Sequence, residues 1–257
     1  MKQHAIIRGF KDRLPKLAKG RAQLTADTIK DWIVELGLKP GDRLPQEPEL
    51  IEKLKVSKGT LRESLKILET QDLIRMKTCP GGGAFISEMR VNVATSLLSS
   101  HFFFKELSIA DIYELRIILE PQLVKGLATH IDQEQIGILK SKMTVYLQPP
   151  KSIKEEPEHR QKELEFHEYM ASLCKNPLLS FVCTFLIKLL KDLTVCQRIY
   201  NMPNQELRES GLAYQVRLLE AFSDQDGQAA YDIMHEHMIS AKQLMTLKEA
   251  KIKKGFL

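Results

Sequence analysis

The chain has 257 residues, 43% of them hydrophobic and 28% charged, with only 13 glycines and 11 prolines. That is enough to bury the cores of two ordinary domains, and it excludes a disordered, collagenous or low-complexity protein. Four cysteines (Cys79, Cys174, Cys183, Cys196) form no CxxC and no ligand-like spacing with histidine, which excludes a zinc finger or disulfide scaffold and suits reduced thiols in a cytoplasm. The net charge of +5 arises in residues 1–88, with 17 Lys and Arg against 12 Asp and Glu, while residues 89–257 balance at 21 of each. A basic end on a neutral body points toward nucleic acid.

Residues 1–20 carry six basic residues against one acidic and read as a basic, weakly structured arm. They contain no apolar h-region or small-residue cleavage site, and the most apolar stretch, 178–190, includes Lys188 and is too short for a bilayer. Neither secretion nor membrane insertion is expected. Leu24, Ile29, Ile33 and Leu36 mark a first helix with Gly37 near its end. The run LKPGDRLP (38–45) is a loop or short extended segment, because two prolines and a Pro-Gly pair break any helix there. A short helix follows over about 47–55, with Pro48 tolerated in its first turn. Ser57 then offers an N-cap for a helix running to about Gln71. In LIRMKTCPGGGAFIS (73–87) two alternating segments flank Pro80-Gly81-Gly82-Gly83, the pattern of a β-hairpin with a flexible tip. Three helices and a hairpin within 21–88 make the order of a winged helix-turn-helix.

From Val91 onward the periodicity is helical throughout. Seven segments are expected, over 91–105, 108–130, 132–148, 155–175, 177–200, 204–223 and 226–249. Their breaks fall at Ser108, Asp132, Pro149-Pro150, Asn176-Pro177, Pro203 and the turn at 224–227. The fold class is therefore mainly α: an N-terminal winged helix-turn-helix and, over 89–257, an all-α bundle of about seven helices.

Lys58, Arg62 and Lys66 are spaced i, i+4, i+8 from the start of the third helix, so they share one face. Leu61, Leu65 and Leu68 occupy another. This division suits a recognition helix, held by its apolar side with its basic side toward a major groove. Ser57, Gly59 and Thr60 at its N-terminus are small or hydroxylated, where free N–H groups favour phosphate. Lys77 lies on the approach to the glycine tip of the hairpin.

On these residues the N-terminal domain resembles the GntR family of bacterial transcription regulators. The run PGDRLPQEPELIEKLKVSKGTLRESLKILETQDLIRMKTCPGGGAFIS (40–87) is similar to that family's PGxxLP lead-in, its xELxxxLxVSxxxxREALxxLExxGLI core and its glycine-tipped wing. The resemblance implies that Ser57, Lys58, Thr60 and Arg62 contact operator DNA and that Gly82 and its neighbours form the wing tip. Pro48 stands where the family usually has a phosphate-contacting arginine. Lys58 replaces a commoner arginine and lacks the guanidinium fork that reads guanine bidentately.

In the bundle, polar residues interrupt apolar stripes on four helices. The stripe Ile109, Ile112, Leu119, Leu123, Leu127 also carries Arg116 and Glu120. Glu163 and His167 share a face with Met170 and Cys174. Gln215 lies in the line Leu207, Gly211, Leu218, Phe222, and His237 in the line Ala230, Met234, Ala241, Leu244. His235, two residues away, falls on a different face and reads as solvated. Singly, each is ordinary as a core histidine on a carbonyl or a Glu-His pair closing a helix face. Together they point to a ligand pocket, because buried polar groups need partners.

The bundle resembles the FadR subfamily's effector domain, also called FCD. YELRIILEPQLVKGLA (113–128) is similar to its LRxxLEP helix, ELEFHEYMASLCKNPLL (163–179) to its DxxFHxxLxxxxxNP segment, and YQVRLLEAFSDQDGQAAYDIMHEHM (214–238) to its EHxxxxxAxxxxDxxxAxxxMxxHL ending. The resemblance implies a divalent metal ion, zinc or similar, at Glu163, His167 and His237 with Gln215 as a fourth position, helping to hold a small carboxylate effector. Glu163 replaces an aspartate and Gln215 a histidine, and an amide oxygen suits harder ions better than zinc. A metal-free pocket is the other reading, in which Arg116, Glu120, His167 and Gln215 meet the effector directly; a guanidinium is suited to carboxylate capture.

The expected function is a dimeric, ligand-responsive transcription regulator, more often a repressor, acting in the cytoplasm on a palindromic double-stranded operator. Its hinge is expected near Ser87 to Asn92. A helical metalloenzyme with a DNA-targeting domain is disfavoured, since no HExxH, nucleophile elbow or P-loop is present. A constitutive architectural DNA binder would have no need of the inward polar set.

Overall fold

The structure is a computed structural model that describes residues 20–78, 81–88, 90–102, 105, 107–144, 156–192, 194–200 and 205–254. Apart from Gly20, the basic arm lies outside the described residues, as do Cys79 and Pro80 at the hairpin tip and the breaks at Pro149-Pro150 and Pro203. The chain divides into two compact units, Met1–Ser96 and Leu97–Leu257.

The first unit contains α1 (Arg21–Glu35), α2 (Glu47–Leu54), α3 (Lys58–Thr70), β1 (Ile74–Lys77) and β2 (Gly83–Ile86). The buried face of α1 is Thr25, Ala26 and Ile29, backed by Trp32 and Ile33. Two of its four expected apolar positions, Leu24 and Leu36, are exposed. The reason is geometric: a helix this short buries one stripe, and 25/26, 29 and 32/33 define it. Pro48 lies in the first turn of α2, where its missing N–H breaks no helical bond. Ser57 caps α3 by accepting from the Thr60 N–H at 3.1 Å. Leu61, Leu65 and Leu68 are buried against Ala26, Ile29, Leu50 and Ile74 in one small core. Within that core the Ser64 hydroxyl donates to the Ala22 carbonyl at 2.8 Å, tying α3 to α1.

The hairpin is antiparallel, pairing Ile74 with Ile86 and Lys77 with Gly83. The PGDRLP segment is extended along β2, with the Leu44 N–H donating to the Ala84 carbonyl and the Ile86 N–H to the Asp42 carbonyl. Helix-turn-helix and wing thus share one core.

α4 (Val91–Phe102) crosses the division between the units. The second unit then continues with α5 (Ile109–Ala128), α6 (Gln133–Met143), α7 (Glu156–Ser172), α8 (Pro177–Asp192), α9 (Thr194–Tyr200), α10 (Gln205–Ser223) and α11 (Gly227–Lys254). Four of its described helix starts are capped at polar residues that mark the breaks. Ser108 with Asp111, and Asp132 with Gln135, form capping boxes. Asn176 Oδ1 accepts from the Leu178 and Leu179 N–H groups, and Asp226 Oδ1 from that of Ala229.

Within the expected segment 177–200 the described residues 177–192 and 194–200 are helical, and position 193 lies outside the described residues. Gln197 Nε2 donates to the Lys191 carbonyl at 3.1 Å. The core of the unit is a single cluster, with α5 laid along α11 and Phe166, Leu190, Leu218, Phe222 and Met234 almost wholly buried. Gly227 permits the close approach of these two helices, since a Cβ there would stand 2.9 Å from the Lys125 carbonyl oxygen. Among the described residues, no helix is long and apolar enough to cross a membrane.

Candidate functional site

In the first unit, α3 presents Lys58, Arg62 and Lys66 as exposed residues on one face, with Ser57 and Gly59 exposed at its N-terminus and Thr60 half-buried. The Ser57 and Thr60 hydroxyls lie 2.9 Å apart, so the cap also orients both groups. Arg62 Nε is 3.7 Å from Glu47 Oε2 on α2, with Arg62 exposed and Glu47 half-buried. On the wing, Lys77 Nζ stands 4.3 Å above the Phe85 ring, close to the half-buried Gly82.

Sequence reasoning assigned no role to Arg43. Its Nη2 donates to the Gly82 carbonyl, and its guanidinium lies 5.9 Å from the Phe85 ring. Gly83 (φ +141°) leaves room for it, since a Cβ there would stand 3.1 Å from Arg43 Nε. The signal available in the sequence was a basic residue inside the extended PGDRLP run, whose pairing with β2 only the fold reveals. Asp72 was also passed over. It adopts a left-handed φ of 57°, and its carboxylate accepts from the Arg90 N–H and Nε, both at 3.0 Å. Those bonds hold its carboxyl below the ordinary 3.8, and they fasten the start of α4 to the end of α3.

In the second unit the six inward polar residues, Arg116, Glu120, Glu163, His167, Gln215 and His237, are all buried. Arg116 Nε donates to Glu120 Oε1 at 2.5 Å, and Glu120 Oε2 lies 2.6 Å from His167 Nδ1. An ionised carboxylate only accepts, so Nδ1 carries the proton and Nε2 offers a lone pair. Arg116 Nη2, 3.4 Å from the same Nδ1, faces another donor and gains no bond from it. Burial pushes the Glu120 carboxyl up, but Arg116 and then His167 outweigh it and bring the pKa down to about 2. Glu120 is therefore a fixed negative charge at neutral pH.

The Tyr214 hydroxyl lies 2.7 Å from His167 Nε2, and its ring stacks on His237 with centroids 3.4 Å apart. Burial pushes its phenol well above the ordinary 10, so it stays protonated. Sequence reasoning missed Tyr214, although it falls three residues after Gly211 and four before Leu218, on the inward stripe of α10.

Glu163, His167 and His237 each offer a ligand atom, and these atoms all lie within 4.8 Å of one another. Glu163 Oε1 is 4.0 Å from His237 Nε2. Gln215 is wholly buried, and among the described residues neither amide atom meets a partner at strict hydrogen-bonding geometry. The amide is near enough to favour the Tyr214 phenolate slightly, an effect that burial of the phenol overwhelms. Burying an amide without full hydrogen bonding costs roughly 1–3 kcal/mol. His235 is half-buried and stacks on Tyr231, centroids 6.0 Å apart, away from this cluster. A surface cavity of about 600 Å³ between α6 and α10, lined by Lys140, Met143, Val216 and Leu219 among others, includes none of the six polar residues.

A winged helix-turn-helix in one unit and a helical bundle with a buried polar cluster in the other define a DNA-binding regulator with a sensing domain. The chain belongs to the GntR family of bacterial regulatory proteins, in the branch with an FCD domain: residues 21–86 match the first and residues 111–240, about half of the chain, the second. It is 25% identical over 234 residues to proteins described as HTH-type transcriptional repressor NanR from Salmonella schwarzengrund (strain CVM19633) and Salmonella newport (strain SL254). That match covers 89% of this chain, and 85% and 86% of the two relatives. Among solved structures it is similar in fold to Streptococcus agalactiae GntR, with a TM-score of 0.60 at 22% identity, covering 86% of this chain and 99% of that one.

Proposed function

We propose that this chain is a ligand-responsive repressor that binds a palindromic operator as a homodimer in the cytoplasm. Residues 21–88 serve as the DNA-binding domain and 89–257 as the effector-binding and dimerisation domain. Ser57, Lys58, Thr60, Arg62 and Lys66 face the major groove and its phosphates, and Lys77 and Gly82 follow with the wing. The repressors to which the chain is similar support the direction of regulation.

The observation that carries the ligand reading is the buried cluster of Glu163, His167 and His237, whose ligand atoms lie within 4.8 Å of one another, with the buried Gln215 amide beside Tyr214. Its donor set suits one divalent ion: a carboxylate from Glu163, imidazoles from His167 and His237, and the Gln215 amide oxygen as a weak fourth position. When bound, such an ion supplies a positive charge and open coordination positions to a small organic acid. Glu120 holds the His167 tautomer that leaves Nε2 able to ligate, as an outer carboxylate does. Arg116 neutralises Glu120 and supplies the positive wall of the effector site, while Gln215 offers the effector or ion its amide.

The cluster binds and does not turn substrate over. Binding alters repression only if the effector prefers one arrangement of the two DNA-binding domains. The test is operator affinity of the pure chain, by fluorescence anisotropy with and without a panel of small carboxylates, alongside metal content per chain. The expected result is a shift in operator affinity with one acid and not with its neutral amide. An operator affinity indifferent to every acid, in protein that carries no ion, would refute the effector reading.

A further inference from the structure

Gly211 lies within α10 and has no positive φ that would call for glycine. In a helix interior glycine costs roughly 0.5–1 kcal/mol relative to alanine, so the position needs another explanation. A Cβ at 211 would stand 3.1 Å from Glu163 Oε1 and 3.6 Å from its Cδ, and among the described residues would meet nothing else within 4 Å outside its own helix. That same oxygen is the one 4.0 Å from His237 Nε2. The carboxylate that completes the Glu163-His167-His237 cluster therefore lies on bare helix backbone.

We infer that Gly211 is a positioning residue for Glu163: the missing Cβ houses a carboxylate on an arm one methylene longer than aspartate. The inference rests on the proposed metal reading of the cluster. An alanine at 211 would displace Oε1 by a few tenths of an ångström. That is trivial for a side chain in solvent, but metal–ligand distances hold to within about 0.2 Å. Glycine and glutamate thus act as a pair, and shortening the arm should compensate for filling the space.

The experiment compares wild type, Gly211→Ala, Glu163→Asp and Glu163→Asp/Gly211→Ala as full-length chains freed of metal by chelator. Each is titrated with Zn²⁺ alone by calorimetry and melted without metal. Wild type should bind about one ion per chain. Gly211→Ala should bind about tenfold more weakly, yet melt at the same temperature or higher, because alanine is the better helix former. A purely structural glycine would move both readouts the same way. The double variant should recover most of the zinc affinity that Gly211→Ala loses. Wild-type affinity in Gly211→Ala, or no recovery in the double variant, overturns this inference alone. Failure of the wild type to bind zinc overturns the metal reading and the inference with it.

Discussion

The Tyr214 hydroxyl donates to His167 Nε2 across 2.7 Å, so the one lone pair that His167 could offer a metal is taken by a phenol. Glu120 fixes the other ring nitrogen as a donor, and loading the cluster must break the Tyr214 bond. Tyr214→Phe leaves Nε2 free at the expense of a buried acceptor without a donor. Metal-free protein should lose about 1 kcal/mol of stability, while zinc affinity should rise by a factor on the order of 5, the equivalent of one net hydrogen bond. Urea unfolding and zinc calorimetry read the two effects. Weaker zinc binding by the variant would show that the hydroxyl helps the ion and does not compete with it.

Arg116 and Glu120 form a wholly buried ion pair on α5. Removing the guanidinium strands a carboxylate that has no access to water, so Arg116→Met should lose about 3–5 kcal/mol. Arg116→Met/Glu120→Gln should recover part of that, because the stranded charge is gone. Thermal melts of the two variants decide it. Equal destabilisation in both would mean that the guanidinium matters for its packing, including its position 4.9 Å from the Tyr113 ring, more than for its charge.

Glu120 also sets an acid dependence. Its pKa is depressed from 4.5 to about 2 in the folded chain. The stability it contributes is therefore fully present above pH 4.5 and is lost as pH falls from 4.5 toward 2. The span corresponds to about 3 kcal/mol. Urea midpoints measured in steps over that window should fall for wild type and fall less for Glu120→Gln. Identical slopes would place the acid sensitivity elsewhere.

On the DNA side, Arg62 and Lys66 share the exposed face of α3 but should fail differently. Arg62→Ala should lose about 1–3 kcal/mol at one base pair and relax preference there. Lys66→Ala should weaken binding evenly across sequences and reduce the slope of log affinity against log salt by about 1. Anisotropy titrations against operator and scrambled duplexes, at several salt concentrations, separate the two. An Arg62→Ala variant with wild-type discrimination would remove that residue from base reading.

Much of this protein is legible along the chain, because its signals are local. Ser108, Asp132, Asn176 and Asp226 satisfy orphan N–H groups of their own helices, so the breaks between helices follow from residues within three positions. The split of α3 into a basic and an apolar face follows from 3.6-residue periodicity, and so does the inward direction of Arg116, Glu120, Glu163, His167, Gln215 and His237. Tertiary structure decided what those groups meet. Glu120 meets His167 from another helix, Tyr214 occupies the other nitrogen of that ring, and Gly211 accommodates Glu163 from another helix. Arg43 reaches the wing only because PGDRLP lies along β2. Periodicity specifies a direction for each side chain, but a hydrogen bond needs a distance between helices, and that is set by how the whole core packs.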